Sequence, residues 1–124
     1  MLLLLSALAA DTPCTPASLE AWRQESLACP SCMEAALDVR IAEDPTCTEA
    51  HLARAALHHA RGQMDQALSV LERADPQDVR VRVALALATH VAGLDATARL
   101  DAALADRPDD PVLVRARAST LPLA

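Results

Sequence analysis

One spacing occurs three times along the chain: small residue, three residues, large apolar residue, two residues, small residue. Ala35, Val39 and Ala42 carry it first, Ala67, Leu71 and Ala74 next, and Ala96, Leu100 and Ala103 last, at steps of 32 and 29 residues. Positions four and seven apart share one face of a helix. Small residues at the ends of such a face let a second helix approach closely. Each triplet is soon followed by a proline (Pro45, Pro76, Pro108), which cannot continue a helix. A short helical unit cannot bury its apolar face alone, so three such units must stack against one another.

The helix signals agree. Thr15 followed by Pro16 opens "TPASLEAWRQESLA" as an N-cap with proline in the first turn. Ser31 with Glu34, and Thr46 with Glu49, have the spacing of capping boxes ahead of "SCMEAALDVRIAED" and "CTEAHLARAALHHA". Gly62 ends the latter, "MDQALSVLERA" follows, and Asp75-Pro76 caps "VRVALALATHVA", which stops near Gly93. "LDATARLDAALAD" and "DDPVLVRARAS" bring the expectation to seven helices. Trp22 is the single aromatic, Tyr and Phe are absent and there are two glycines. A sheet needs more β-branched, aromatic and turn residues than this. All eleven basic residues are Arg, a bias that fits a GC-rich bacterial genome. The predicted class is all-α: three antiparallel hairpins (about 15–45, 46–75 and 76–108), a capping helix over 110–118, and a tail over 119–124.

The pattern resembles the tetratricopeptide repeat (TPR). In that family a Gly ends the first helix of each hairpin, and the second helix carries Ala, a large apolar residue and Ala, with Pro opening the next unit. Gly62, Ala67, Leu71 and Ala74 fit the second unit in register. Ala96, Leu100, Ala103 and Pro108 fit the third, where Gly93 stands two residues closer to Ala96 and implies a shortened turn. Leu85-Ala86 occupies the family's Leu-Gly pair in the third unit, whereas Arg54-Ala55 and Trp22-Arg23 stand there in the others. The resemblance covers roughly residues 15–118. It implies a short right-handed array whose concave face is lined by Glu49, Leu52, Ala56 and His59 from one unit and Arg80, Val83, Leu87 and His90 from the next.

Four cysteines stand at 14, 29, 32 and 47, the middle two in the stretch "CPSC". Cys14 and Cys29 bracket one predicted helix, and Cys32 and Cys47 the next. At 1.5 Å per residue each bracket spans about 20 Å, against the roughly 7 Å that a disulfide tolerates between Cα atoms. Joining 14 to 32 and 29 to 47 fails as well, because the hairpin sets those at opposite ends. The nested pairing remains: Cys29–Cys32 tying the turn and Cys14–Cys47 tying the open end, both as structural staples. A redox dithiol or half of a metal site is the alternative use of CPSC. It lacks the strand–helix context of a thioredoxin-like motif and a geometry that brings four sulfurs to one ion.

No nucleophile–His–acid set, phosphate loop or HExxH is present, so neither an enzyme nor a resident cofactor or metal is expected. His51 and His58 are two turns apart on one helix, about 10 Å, too far to share an ion unaided. The net charge of −6, with Arg and acidic residues interspersed, gives no basic patch for nucleic acid. Leu2–Leu5 followed by Ala7-Leu8-Ala9 has the apolar core and small-x-small pattern of a signal peptide over residues 1–10, without a preceding basic residue. Asp11-Thr12-Pro13 ahead of Cys14 is no lipobox, and no later stretch is long and apolar enough to span a membrane. The sequence therefore predicts an exported, periplasmic or extracellular interaction module that presents a surface to another protein or peptide. The runner-up is a thiol–disulfide or metal-handling protein acting through CPSC.

Overall fold

The computed structural model describes residues 13–120. The predicted signal segment, and the end of the predicted tail, lie outside the described residues. Seven helices and no strand occur among the described residues: α1 (Pro16–Ala28), α2 (Pro30–Glu43), α3 (Thr48–Ala60), α4 (Met64–Glu72), α5 (Val79–Val91), α6 (Thr97–Asp106) and α7 (Pro111–Ser119). Consecutive helices pack as hairpins, and the odd-numbered ones also touch in series, α1 on α3, α3 on α5 and α5 on α7. The fold is an all-α, TPR-like stack.

Two glycines turn the chain. Gly62 and Gly93 have φ of 72° and 80°, the left-handed region that side chains resist. At both, the glycine N–H and the next residue's N–H return to the helix just ended. Gly62 and Gln63 donate to the carbonyls of His59 and His58, and Gly93 and Leu94 to those of His90 and Thr89. These are Schellman caps. The sequence implied a shortened second turn, but the structure shows the reverse. Residues 92–96 separate α5 from α6, whereas residues 61–63 separate α3 from α4. The third unit places Ala96, Leu100 and Ala103 correctly by starting α6 later, with Ala96 as its N-cap.

The capping residues differ from three expectations. Neither Ser31–Glu34 nor Thr46–Glu49 forms a capping box. Cys29 and Cys47 are the N-cap residues, without side-chain caps. Glu34 is drawn instead to Arg54 (3.0 Å) and Arg61, and Glu49 to Arg80 (2.8 Å). Thr46 binds Asp44, whose carboxyl is held below the usual range by that hydroxyl. Asp78, rather than Asp75, caps α5 through the Arg80 N–H at 2.8 Å, while Asp75 binds the Gln77 N–H within the turn. Thr15 caps as expected, and Asp110 caps α7 by accepting from the N–H groups of Val112 and Leu113.

Burial corrects the repeat in its first unit. Ala67, Leu71 and Ala74 are buried, as are Ala96, Leu100 and Ala103. Ala35 and Ala42, however, are exposed, and Val39 is 49% exposed. The buried pair on α2 is Met33 with Leu37, which keeps the four-residue step two positions earlier. Met33 lies 34 residues before Ala67, so the first unit has the family's length with a long side chain where a small one was sought. Two buried clusters result. The larger joins Trp22, Met33, Leu37, Leu71 and Val81 among others, and the smaller joins Val83, Leu100 and Leu113. Helix α5 contributes to both.

This register has a direct test. Met33→Ala removes a fully buried side chain and is expected to cost about 2–5 kcal/mol in urea unfolding. Val39→Ala is expected to stay within about 0.5 kcal/mol, as an exposed substitution does. Equal losses would restore the Ala35–Val39–Ala42 face.

Candidate functional site

Alanines dominate the inner side of the stack because close-set helices leave no room for more. One trough runs along α3 and α5, bounded by Leu52, Ala55, Ala56 and His59 on one side and Ala84 and Leu87 on the other. It encloses about 270 Å³. A second cavity of about 400 Å³ adjoins it across Arg23, Ala56 and Ala60, between Leu27 and Pro30 of the first hairpin and Arg61. Arg23 is exposed and makes no ion pair among the described residues. Leu27 is 81% exposed at this rim.

Of the eight residues that the resemblance assigned to the concave face, Leu52, Ala56, His59 and Leu87 line this trough together. The other four do not join them. Val83 is buried in the smaller core cluster. His90 accepts or shares a hydrogen bond with Ser119 (3.1 Å) beside the α5–α6 turn. Glu49 and Arg80 are taken up by each other. Sequence reading missed Arg23, Ala55, Ala60 and Ala84, since alanine carries no chemical signal and α1 had no glycine to set its register.

The Glu49–Arg80 pair has its own architecture at the other end of α3. Asp78 accepts from Arg80 Nε and Nη2 (3.1 and 2.7 Å), and Nη2 also reaches Glu49 Oε1 at 2.8 Å. The guanidinium beside Asp78 holds that carboxyl below the usual range, and its own pKa is raised by Asp78 first and Glu49 second. The remaining Glu49 oxygen, Oε2, lies 3.0 Å from Cys14 Sγ. Cys14 is at disulfide distance from Cys47 (Cα–Cα 5.7 Å), and Cys29 from Cys32 (5.3 Å). Cys47 is the N-cap residue of α3, so the outer pair ties the chain ahead of α1 to the start of α3. The inner pair straddles the α1–α2 junction. His51 and His58 are buried and structural, with Nδ1 against the Cys47 carbonyl (2.9 Å) and Gln63 Oε1 (2.9 Å).

Residues 48–88 match the tetratricopeptide repeat family, a span that takes in α3, α4 and most of α5. No curated protein and no solved structure matches the chain.

Two outcomes follow from this geometry. Breaking Cys14–Cys47, which closes a separation of 33 residues, is expected to cost about 3–4 kcal/mol on the chain-entropy account. Breaking Cys29–Cys32, with a separation of 3, is expected to cost about 2 kcal/mol on the same account. Urea melts of the paired Cys→Ser variants measure both. Asp78 contributes stability above the ordinary Asp pKa of about 3.9, and this is lost as pH falls through its depressed folded value. Asp78→Asn, which keeps an N-cap but removes the charge beside Arg80, should therefore flatten the acid limb of stability against pH below about pH 4 and cost about 1 kcal/mol at pH 7.

Proposed function

For this TPR-like helical repeat we propose a recognition role: the trough along α3 and α5 binds an extended or helical segment of another protein, without covalent chemistry. The observation that carries this reading is the apolar, alanine-lined concavity shared by Leu52, Ala56 and Leu87 and continued past Arg23 and Leu27. A surface rich in alanines offers hollows and few projecting side chains, so most of the bulk must come from the partner. Aromatic or large aliphatic side chains fill such hollows. The TPR-like stack supports a binding role, because stacked hairpins present one rigid, extended face.

The proposed setting is outside the cytoplasm, in the periplasm or beyond the cell. Two cysteine pairs at disulfide distance support it. No helix among the described residues is long and apolar enough to cross a membrane. The residue 1–10 signal segment belongs to the same proposal, as does the division into units over 15–45, 46–75 and 76–108 with a cap over 110–118. The outer Cys14–Cys47 pair would stiffen the first unit, which packs against one neighbouring hairpin among the described residues.

Photo-crosslinking tests the assignment. A photoreactive residue at Ala56 or Leu87 should capture a protein from the native envelope fraction, and the same residue at exposed Val39 should not. Ala56→Arg, which fills the trough with a charged chain, is expected to weaken the captured complex at least tenfold while leaving the helical circular dichroism unchanged. Capture from Val39 alone would move the interface to the convex side.

A further inference from the structure

We propose that Cys14, Cys47 and Glu49 form a metal site of the zinc class when the Cys14–Cys47 pair is reduced. The inference is independent of the trough. It starts from a contact that the disulfide leaves unexplained. Glu49 is 8% exposed, and its Oε2 faces Cys14 Sγ at 3.0 Å. A disulfide sulfur carries no proton, so nothing is donated across that gap, and a largely buried carboxylate oxygen is directed at a sulfur that cannot satisfy it. In the dithiol the Cys14 S–H donates to the same oxygen. With a cation, that oxygen and two thiolates become ligands.

The placement suits such a site. The two sulfurs and a Glu49 carboxylate oxygen all lie within 4.8 Å of one another. Zinc bonds of about 2.3 Å to sulfur and 2.0–2.2 Å to oxygen set tetrahedral ligand atoms roughly 3.5–3.8 Å apart. The sulfurs must separate from their bond to reach this spacing, which their 5.7 Å Cα separation permits by side-chain rotation. Cys47 is the N-cap residue of α3 and Glu49 stands in its first turn, so two of the three ligands are held at one end of a rigid element. Three protein ligands leave the fourth position for water, and two thiolates with one carboxylate suit zinc better than harder cations.

The surroundings orient the carboxylate. Arg80 engages Oε1 and leaves Oε2 toward the sulfurs, and Asp78 in turn fixes Arg80. Hydrogen bonding of the non-ligating oxygen is how metal-binding carboxylates are commonly held. The chemistry balances with a thiol reductant. Two reductant thiols join as a disulfide, and their two electrons and two protons convert Cys14–Cys47 to two thiols. Zinc then displaces both thiol protons to solvent and binds two thiolates and the Glu49 carboxylate.

The test uses the full chain carrying Cys29→Ser and Cys32→Ser, which leaves the outer pair as its sole cysteines. The protein is reduced with a phosphine under inert gas and titrated with Zn²⁺ against a chromophoric chelator, and with Co²⁺ for thiolate-to-cobalt absorption. One equivalent should bind to the reduced protein and none to the oxidised one. Glu49→Gln should weaken binding at least tenfold. Should reduction lower the helical circular dichroism, Zn²⁺ is expected to restore it, and failure to do so overturns the proposal. Absence of binding by a reduced protein that keeps its helices overturns it too, as does binding that Glu49→Gln leaves unchanged.

Discussion

Helix α3 is buried along nearly its whole length, from Glu49 through Ala55 and again at Leu57 and His58. A helix covered on so many sides needs neighbours on all of them, and α1, α2, α4 and α5 supply them. Alanines at 50, 53 and 55 make the approach possible, since a larger side chain would hold those axes apart. The rest of the array follows from this crowding. Once α3 is enclosed, α5 becomes the next exposed face, and it is covered by α6 and α7 through Val83, Ala86, Leu100 and Leu113.

Crowding also decides where the charges go. With so little side-chain volume in the core, Arg reaches across the helix interfaces from their edges. Arg54 joins α3 to Asp38 and Glu34 of α2, Arg80 joins α5 to Glu49 of α3, Arg82 joins α5 to Asp106 of α6, and Arg117 joins α7 to Asp101 of α6. Exposed pairs of this kind contribute little individually. Their effect on register is larger, because a guanidinium buried like that of Arg54 tolerates few alternative partners.

Much of this was legible in the sequence. Proline and glycine punctuate the chain so regularly that all seven helices could be placed, and rods of known rise left one cysteine pairing possible. The first unit's register could not be read, because Met33 occupies the position where Ala was sought and Val39 mimics a core residue from the solvent side. The capping boxes misled for a related reason. Glu34 and Glu49 had the right spacing for a backbone N–H, but Arg54, Arg61 and Arg80 come from distant sequence and bind them more strongly. Four of the eight concave-face candidates lie away from the trough for a related reason. Glu49, Arg80, Val83 and His90 each found a tertiary partner that periodicity alone does not reveal.

The departures from the repeat's spacing share a physical logic. The second unit has the glycine turn, small residues at both ends of its buried triplet, and neighbours on both sides. The first has neither the glycine nor the small residues, and its α1–α2 junction turns at Cys29, which ends one helix and caps the next. There the chain brings its cysteines together, one pair across the junction and the other across the open end. Among the described residues this unit packs against one neighbouring hairpin, and covalent links restrict the unfolded chain without requiring a second. The third unit keeps its glycine and its triplet and needs no link, because α7 covers it with Leu113 and Ala116. Among the described residues, crosslink and capping helix thus serve the same need, each holding a hairpin that packs against a single neighbouring hairpin.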